Sequence, residues 1–247
     1  MRVRIGEQGR YFPALFTKET LPDNGMKMQE KTNIFVVSGL GADFSVLQRI
    51  EFPPEFNVVF LDWLMPEKKE SFEHYVQRMA DRVDDSAPFY LLGYSFGGLI
   101  VQEISRIKPA QKILILGSIR SGKEKSSLLK TGEITRLFKY IPAKLLDPNL
   151  KLMKYGLHYL FGATSSNVLK YFTFRDSRYL KWSLYHIAHW HAEPVEGVIQ
   201  ILGDKDHIFP IKNSKPDYVI SGGTHLFPVT KSREVSTIIR EVLTLED

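Results

Sequence analysis

Phe89-Tyr90-Leu91-Leu92-Gly93-Tyr94-Ser95-Phe96-Gly97-Gly98 decides how this chain folds, because an apolar run leads directly into Gly-x-Ser-x-Gly. The run reads as a buried strand, and Leu99-Ile100-Val101-Gln102-Glu103-Ile104 behind it reads as a helix. A tight strand–turn–helix displays its serine in a strained conformation at the top of a sheet. Glycines two residues before and two after that serine let neighbouring backbone approach without a Cβ clash. The helix N-terminus favours the negative charge that develops in acyl transfer. Gly-x-Ser-x-Gly alone arises readily by chance. With the strand and the helix on either side, it makes Ser95 a candidate nucleophile.

Working outward, similar short runs recur at Ile34–Val37, Val58–Leu61, Ile113–Leu116, Val198–Leu202 and Tyr218–Ile220. Most are continuous and rich in β-branched or aromatic residues, as strands buried on both faces of a parallel sheet require. Helical patterns lie between them. Phe72, Tyr75, Val76, Met79, Ala80 and Val83 follow the i, i+3, i+4, i+7 rhythm with Ser71 placed as N-cap, and Val235, Ile238, Ile239 and Val242 repeat it near the C-terminus. The alternation predicts a doubly wound, mostly parallel α/β sheet.

The ends of three other strands carry chemistry. Ser38-Gly39-Leu40-Gly41 follows the first, and the backbone N–H groups of Leu40 and Phe96 are the candidates for an oxyanion hole. Taken alone, that loop is only a strand-to-helix connection needing glycine. Gly203-Asp204-Lys205-Asp206-His207 follows the fifth strand, where open α/β sheets keep their sites, so Asp204 and Asp206 compete for the role of the acid. Ser221-Gly222-Gly223-Thr224-His225 follows the sixth and supplies a histidine. The chain order is serine, acid, histidine.

In this order and spacing, the four motifs resemble the α/β-hydrolase superfamily from about Asn33 onward. Gly203-x-x-Asp206-x-x-x-Pro210 is similar to that family's acid loop, and the resemblance selects Asp206 over Asp204. Gly222-Gly223-Thr224-His225 is similar to its histidine loop. The resemblance implies a catalytic triad of Ser95, Asp206 and His225, with no metal or organic cofactor. It divides the chain into an N-terminal segment 1–31 of open structure, a core of 32–119 and 193–247, and a helical cap at 120–192 inserted after the strand that follows the nucleophile helix. Members commonly have His-Gly where this chain has Ser38-Gly39, which implies a changed hydrogen-bond network there. The family's two opening strands are not evident before Asn33.

The expected activity is a serine carboxylesterase acting on small to medium acyl esters through an acyl-enzyme. Three rivals use the same frame: a carbon–carbon bond hydrolase, a lyase like those of menaquinone pathways, and a non-catalytic ligand-binding relative. Aspartate-nucleophile relatives, epoxide hydrolases and dehalogenases, do not fit a serine at position 95.

Composition narrows the classes further. The 247 residues suffice for one α/β domain with a sizeable core. They include no cysteine, which removes disulfides, thiol nucleophiles and Cys-ligated zinc. Met1–Arg10 has no apolar run of signal-peptide type, and no stretch nears a membrane span, so the expectation is a cytoplasmic protein without stable membrane insertion. Charge is uneven: residues 120–195 hold thirteen basic and five acidic side chains, a net +8, which leaves −3 for the rest of a +5 chain. That excess, together with many aromatics, could suit nucleic acid, but no binding motif accompanies it. A solvated cationic face over an apolar pocket lining is the commoner outcome; the weaker inference is that such a lid would favour an anionic or carboxylate-bearing substrate through steering. Helices are expected there at Ile134–Tyr140, Leu150–Phe161 and Tyr179–Trp190, and a weak strand or loose tail at Val3–Ile5. His186, His189 and His191 invite a metal, but no carboxylate stands at HExxH spacing, so packing or solvation on an amphipathic helix is preferred. Oligomeric state is not legible.

Overall fold

The computed structural model describes residues 31–142 and 168–244. Its centre is a six-stranded sheet: β1 (Thr32–Val37), β2 (Phe56–Phe60), β3 (Phe89–Tyr94), β4 (Lys112–Leu116), β5 (Val198–Gly203) and β6 (Tyr218–Ile220). The spatial order is β2-β1-β3-β4-β5-β6, and every neighbouring pair is parallel. The six apolar runs of the sequence are these strands, displaced at their ends by one or two residues.

Alternation along each strand explains why both faces are covered. Phe35, Val37, Leu91, Ile113 and Ile115 point into one core, together with α1 (Phe72–Ala80) and α2 (Phe96–Ile107). Ile34, Val36, Leu92, Leu114, Leu116 and Ile201 point into the other, against the 44–50 segment and the C-terminal helix. A strand buried on both sides has no polar face, so the runs are continuous. Ser71 caps α1 by accepting from the His74 N–H at 3.2 Å, the role its sequence position suggested.

The stretch between β4 and β5 forms α3 (Ser127–Ile134), α4 (Leu137–Tyr140) and α5 (Ser177–His189) among the described residues. The helix expected over Ile134–Tyr140 is broken. Arg136 takes φ +51°, a left-handed turn that ends the α3 segment and starts α4 in a new direction. Gly132 permits the fold-back, since a Cβ there would lie 2.2 Å from the Phe138 ring. The expected Tyr179–Trp190 helix is α5, capped by Asp176, which accepts from the N–H groups of Arg178 and Tyr179. The expected helix Leu150–Phe161 and the segment Val3–Ile5 lie outside the described residues. α6 (Phe227–Thr230) and α7 (Ser232–Thr244) are the last elements among the described residues.

The order places β1 between β2 and β3, so the chain leaves β1 toward one edge and builds the rest toward the other. Such a reversal opens a crevice beyond the carboxyl ends of the central strands. The ends of β1 and β3 are Ser38-Gly39 and Tyr94-Ser95.

Candidate active site

Ser95 joins β3 to α2 in a conformation few non-glycine residues adopt, φ +55° and ψ −117°. Three observations show why the backbone accepts it. A Cβ on Gly93 would sit 2.4 Å from the Gly97 carbonyl oxygen. One on Gly97 would sit 2.2 Å from the Val37 oxygen and 2.4 Å from the Ser38 oxygen. The Ser95 N–H is secured by the Leu116 carbonyl at 2.8 Å. Helix, turn and the end of β1 are therefore in direct backbone contact, possible only with hydrogen at both glycine positions.

His225 and Asp206 arrive from the loops after β6 and β5. His225 Nε2 lies 2.9 Å from Ser95 Oγ, and His225 Nδ1 lies 2.7 Å from Asp206 Oδ2. The other carboxylate oxygen, Oδ1, accepts from the N–H groups of Ile208 (2.8 Å) and Phe209 (3.0 Å). Both His225 and Asp206 are buried, at 1 % and 3 % exposure. Asp204 is exposed. The choice between the two aspartates is thus a matter of position: Asp206 faces the histidine, and Asp204 faces water.

Tyr94, the residue before the serine, was not singled out by sequence. Its hydroxyl donates to the His225 carbonyl at 2.9 Å, and its ring lies 5.4 Å from the imidazole. Burial pushes its phenol well above the usual tyrosine range, so it stays a neutral donor. The signal was present as a tyrosine inside Gly-x-Ser-x-Gly, but its partner is 131 residues away.

Gly39-Leu40-Gly41-Ala42 forms a four-residue turn, closed by the Ala42 N–H on the Gly39 carbonyl at 2.9 Å. Gly41 has φ +66° at the third position, where a type II turn needs a residue without a Cβ penalty. A Cβ on Gly39 would be 3.4 Å from Ser95 Cβ, so the turn lies directly against the serine. Among the described residues the N–H groups of Leu40 and Phe96 donate to no protein acceptor. In place of the family's histidine, the Ser38 hydroxyl donates to the Ala42 carbonyl.

Above these groups lies a cavity of about 240 Å³. Its floor includes Ser95 and His225, and its walls include Leu129, Phe138, Leu180 and Ile187 from the β4–β5 stretch. Among the described lining residues none is charged. Several of the basic residues of that stretch are engaged elsewhere. Lys125 is buried, bonded to Glu133 at 2.8 Å and to the Ala188 carbonyl. Arg120 binds the Val198 and Lys215 carbonyls and Asp217, and Arg175 binds the Phe172 and Leu169 carbonyls.

The histidine trio is dispersed. His191 pairs with Glu133 at 2.5 Å, His189 Nδ1 faces the Tyr185 carbonyl at 2.8 Å, and His186 stacks on Phe72 at 5.5 Å. Burial lowers the His186 pKa to about 4. Among the described residues the single grouping with metal-ligand spacing is Glu67, Glu70 and His74. There Arg78 donates to both oxygens of Glu70 at 2.9 Å and takes the place a cation would need.

A thermophilic esterase from Thermogutta terrifontis superposes with a TM-score of 0.59 at 15% identity, over 86% of this chain and 89% of its own. A hydrolase from Oleispira antarctica gives 0.62 at 11% identity, over 87% and 92%. An N-acyl homoserine lactonase complexed with N-hexanoyl homoserine gives 0.60 at 15% identity, over 88% and 92%. The chain has the α/β-hydrolase fold. No protein-family model matches the sequence, and no curated protein matches it. Within this α/β-hydrolase frame the four strand-end loops converge on one cavity. No helix among the described residues is long and apolar enough to cross a membrane.

Proposed function

We propose that this α/β-hydrolase is a serine carboxylesterase acting on small to medium acyl esters. The observation that carries the reading is the continuous chain Ser95 Oγ, His225 Nε2, His225 Nδ1, Asp206 Oδ2, with separations of 2.9 and 2.7 Å, at the floor of an apolar cavity.

The roles follow from the donors and acceptors. With Asp206 accepting from Nδ1–H, Nε2 is left with its lone pair toward Ser95, the tautomer a general base requires. His225 takes the serine proton as Oγ attacks the acyl carbon, and Asp206 stabilises the imidazolium. The oxyanion is received by the N–H groups of Leu40 and Phe96; one such donor contributes about 3 kcal/mol in other enzymes. His225 then protonates the leaving alcohol, and water repeats the sequence on the acyl-enzyme. No step calls for a metal or cofactor.

Residues 120–192 act as the cap: among the described ones, Leu129, Phe138, Leu180 and Ile187 wall the cavity while the catalytic groups come from the core. The substrate is a small molecule. Among the described lining residues none is charged, which favours an ester with an apolar acyl chain over an anionic acyl substrate, and so over the carbon–carbon hydrolase and lyase alternatives. Several solved neighbours are named as esterases, and one as a lactonase, which is consistent with this class.

The test is a fluorophosphonate probe together with p-nitrophenyl esters on wild type and Ser95→Ala. The expected result is labelling and turnover in the wild type, both lost in the variant. Labelling without turnover of any ester would move the chemistry to carbon–carbon cleavage or elimination. Neither activity in a folded wild type would leave a ligand-binding protein.

A further inference from the structure

Trp63 stands where the two strand-end loops meet, and the mechanism above makes no use of it. It lies just after β2, 8 % exposed. Its indole Nε1–H donates to two carbonyls at once, Gly39 at 3.0 Å and Ala42 at 3.1 Å. These are the first and last residues of the turn that carries the Leu40 N–H. The same ring stacks on Phe96, with centroids 5.1 Å and planes 12° apart. Phe96 carries the other proposed donor. A single rigid side chain therefore touches both halves of the oxyanion hole, one through its N–H and one through its face.

Packing alone would ask only for a bulky aromatic at this place. The bifurcated bond adds direction. Without it neither carbonyl is abandoned: the Gly39 oxygen keeps the Ala42 N–H at 2.9 Å, and the Ala42 oxygen keeps the Ser38 hydroxyl. The turn would still close on itself. What it would lose is its tie to the ring that rests on Phe96, and so its register against the nucleophile turn. The Phe174 N–H on the Gly41 carbonyl at 2.9 Å and the bridge between Ala42 and Phe172 tie the turn to the chain returning from the β4–β5 stretch. Tyr179 gives a weaker tie on the Trp63 side, its hydroxyl 3.4 Å from the Gly41 nitrogen and its ring 5.7 Å from Trp63. The contact from Gly41 is long for a hydrogen bond and cannot replace the pair made by the indole.

We infer that Trp63 is a positioning residue that sets the placement of the Leu40 and Phe96 N–H groups relative to each other, and thereby their grip on the oxyanion. This rests on the hydrolase reading above. The effect belongs to the transition state, because preorganised donors act on charge that develops only there.

The test replaces Trp63 in two ways. Trp63→Phe keeps an aromatic face and removes the N–H. Substitution by β-(3-benzothienyl)alanine keeps the bicyclic shape and exchanges the N–H for sulfur, which cannot donate. Steady-state kinetics on p-nitrophenyl hexanoate and inhibition by an alkyl boronic acid, which forms a tetrahedral adduct on an active serine, are read side by side. For both variants kcat falls about tenfold while KM stays within about twofold. Boronate affinity weakens by a similar factor, with circular dichroism unchanged. A folded variant whose kcat stays within about twofold of wild type would overturn the inference. So would one that loses turnover yet binds the boronate as wild type does. Should Trp63→Phe not fold, the isosteric variant decides. A wild type that neither turns over the ester nor takes the fluorophosphonate would overturn the hydrolase reading itself, and the role of Trp63 with it.

Discussion

Lengthening the acyl chain of the ester is the perturbation that reads the cavity directly. The space above Ser95 measures about 240 Å³. A methylene occupies about the volume a water takes in the liquid, roughly 30 Å³. The cavity therefore has room for about eight such groups, and for six to eight carbons once incomplete filling is allowed. Each methylene moved from water into an apolar wall gains about 0.8 kcal/mol, or nearly fourfold in equilibrium. The walls formed by Leu129, Leu180, Leu184 and Ile187 are of this type. The expected profile for p-nitrophenyl esters is a rise in kcat/KM of about two- to fourfold per carbon from acetate. It levels near hexanoate to octanoate and declines for longer chains. The assay is initial-rate kinetics from C2 to C16 at subsaturating substrate. A profile that is flat or falls from acetate would show that the acyl chain does not enter this cavity. A rise continuing to C12 or beyond would refute the volume argument.

Two further outcomes follow from single groups. In Asp206→Asn the amide oxygen is held toward the Ile208 and Phe209 N–H groups, so the NH₂ faces His225 Nδ1 and forces the proton to Nε2. That tautomer cannot accept from Ser95, and kcat should drop by about 10³- to 10⁴-fold with the fold retained; a loss below about tenfold in the ester assay would remove Asp206 from the mechanism. His186 titrates near 4 in the folded chain against an ordinary 6.5, mainly because it is buried, with Glu73 opposing the shift and His189 adding to it. The unfolded chain therefore binds the proton first, and stability is lost as pH falls from about 6.5 to about 4. Partial exposure limits the effect to about 1–2 kcal/mol. Urea unfolding of wild type and His186→Phe at pH 7 and pH 4.5 checks it: the variant should lose less stability, and equal losses would contradict the assignment.

The strands were legible because burial on both faces leaves nothing polar in Ile34–Val37 or Ile113–Leu116. The turn at Ser95 was legible because its glycines are required by backbone contact, a local demand that local sequence must meet. The resemblance to a known acid loop then singled out Asp206, which the structure places against His225 while Asp204 stays in water. Strand order was not legible, since β1 pairs with both β2 and β3 through crossovers that the alternating pattern leaves open. The break at Arg136 was hidden as well. Ile134–Tyr140 keeps a helical rhythm, and only the space beside Gly132 lets Phe138 fold back. Trp63 and Tyr94 reach partners 24 and 131 residues distant, and no short motif announces a bond of that kind. The basic excess of residues 120–195 reads in sequence as a solvated cationic face, and a residue count does not say which of its cations are bonded to the fold. Lys125 ties α3 to α5, Arg120 binds the start of β5, and Arg175 bonds to carbonyls just before it in the chain.

The return of the chain toward the core sets where an exchange of the proposed cap must be cut. Phe172 forms an antiparallel bridge with Ala42, the Phe174 N–H donates to the Gly41 carbonyl at 2.9 Å, and the Phe172 ring fills the space a Cβ on Gly41 would need. Farther on, Trp182 donates to the Glu70 carbonyl and Trp190 to the Glu103 carboxylate. Tyr171 through Trp190 thus belongs to the proposed cap by position in the chain and to the core by attachment. A chimera that imports a foreign cap across the whole of 120–192 would import a new neighbour for the Leu40 turn along with the new pocket. One whose downstream junction falls before Tyr171 would vary the pocket wall on the α3 and α4 side and leave the native frame around that turn in place.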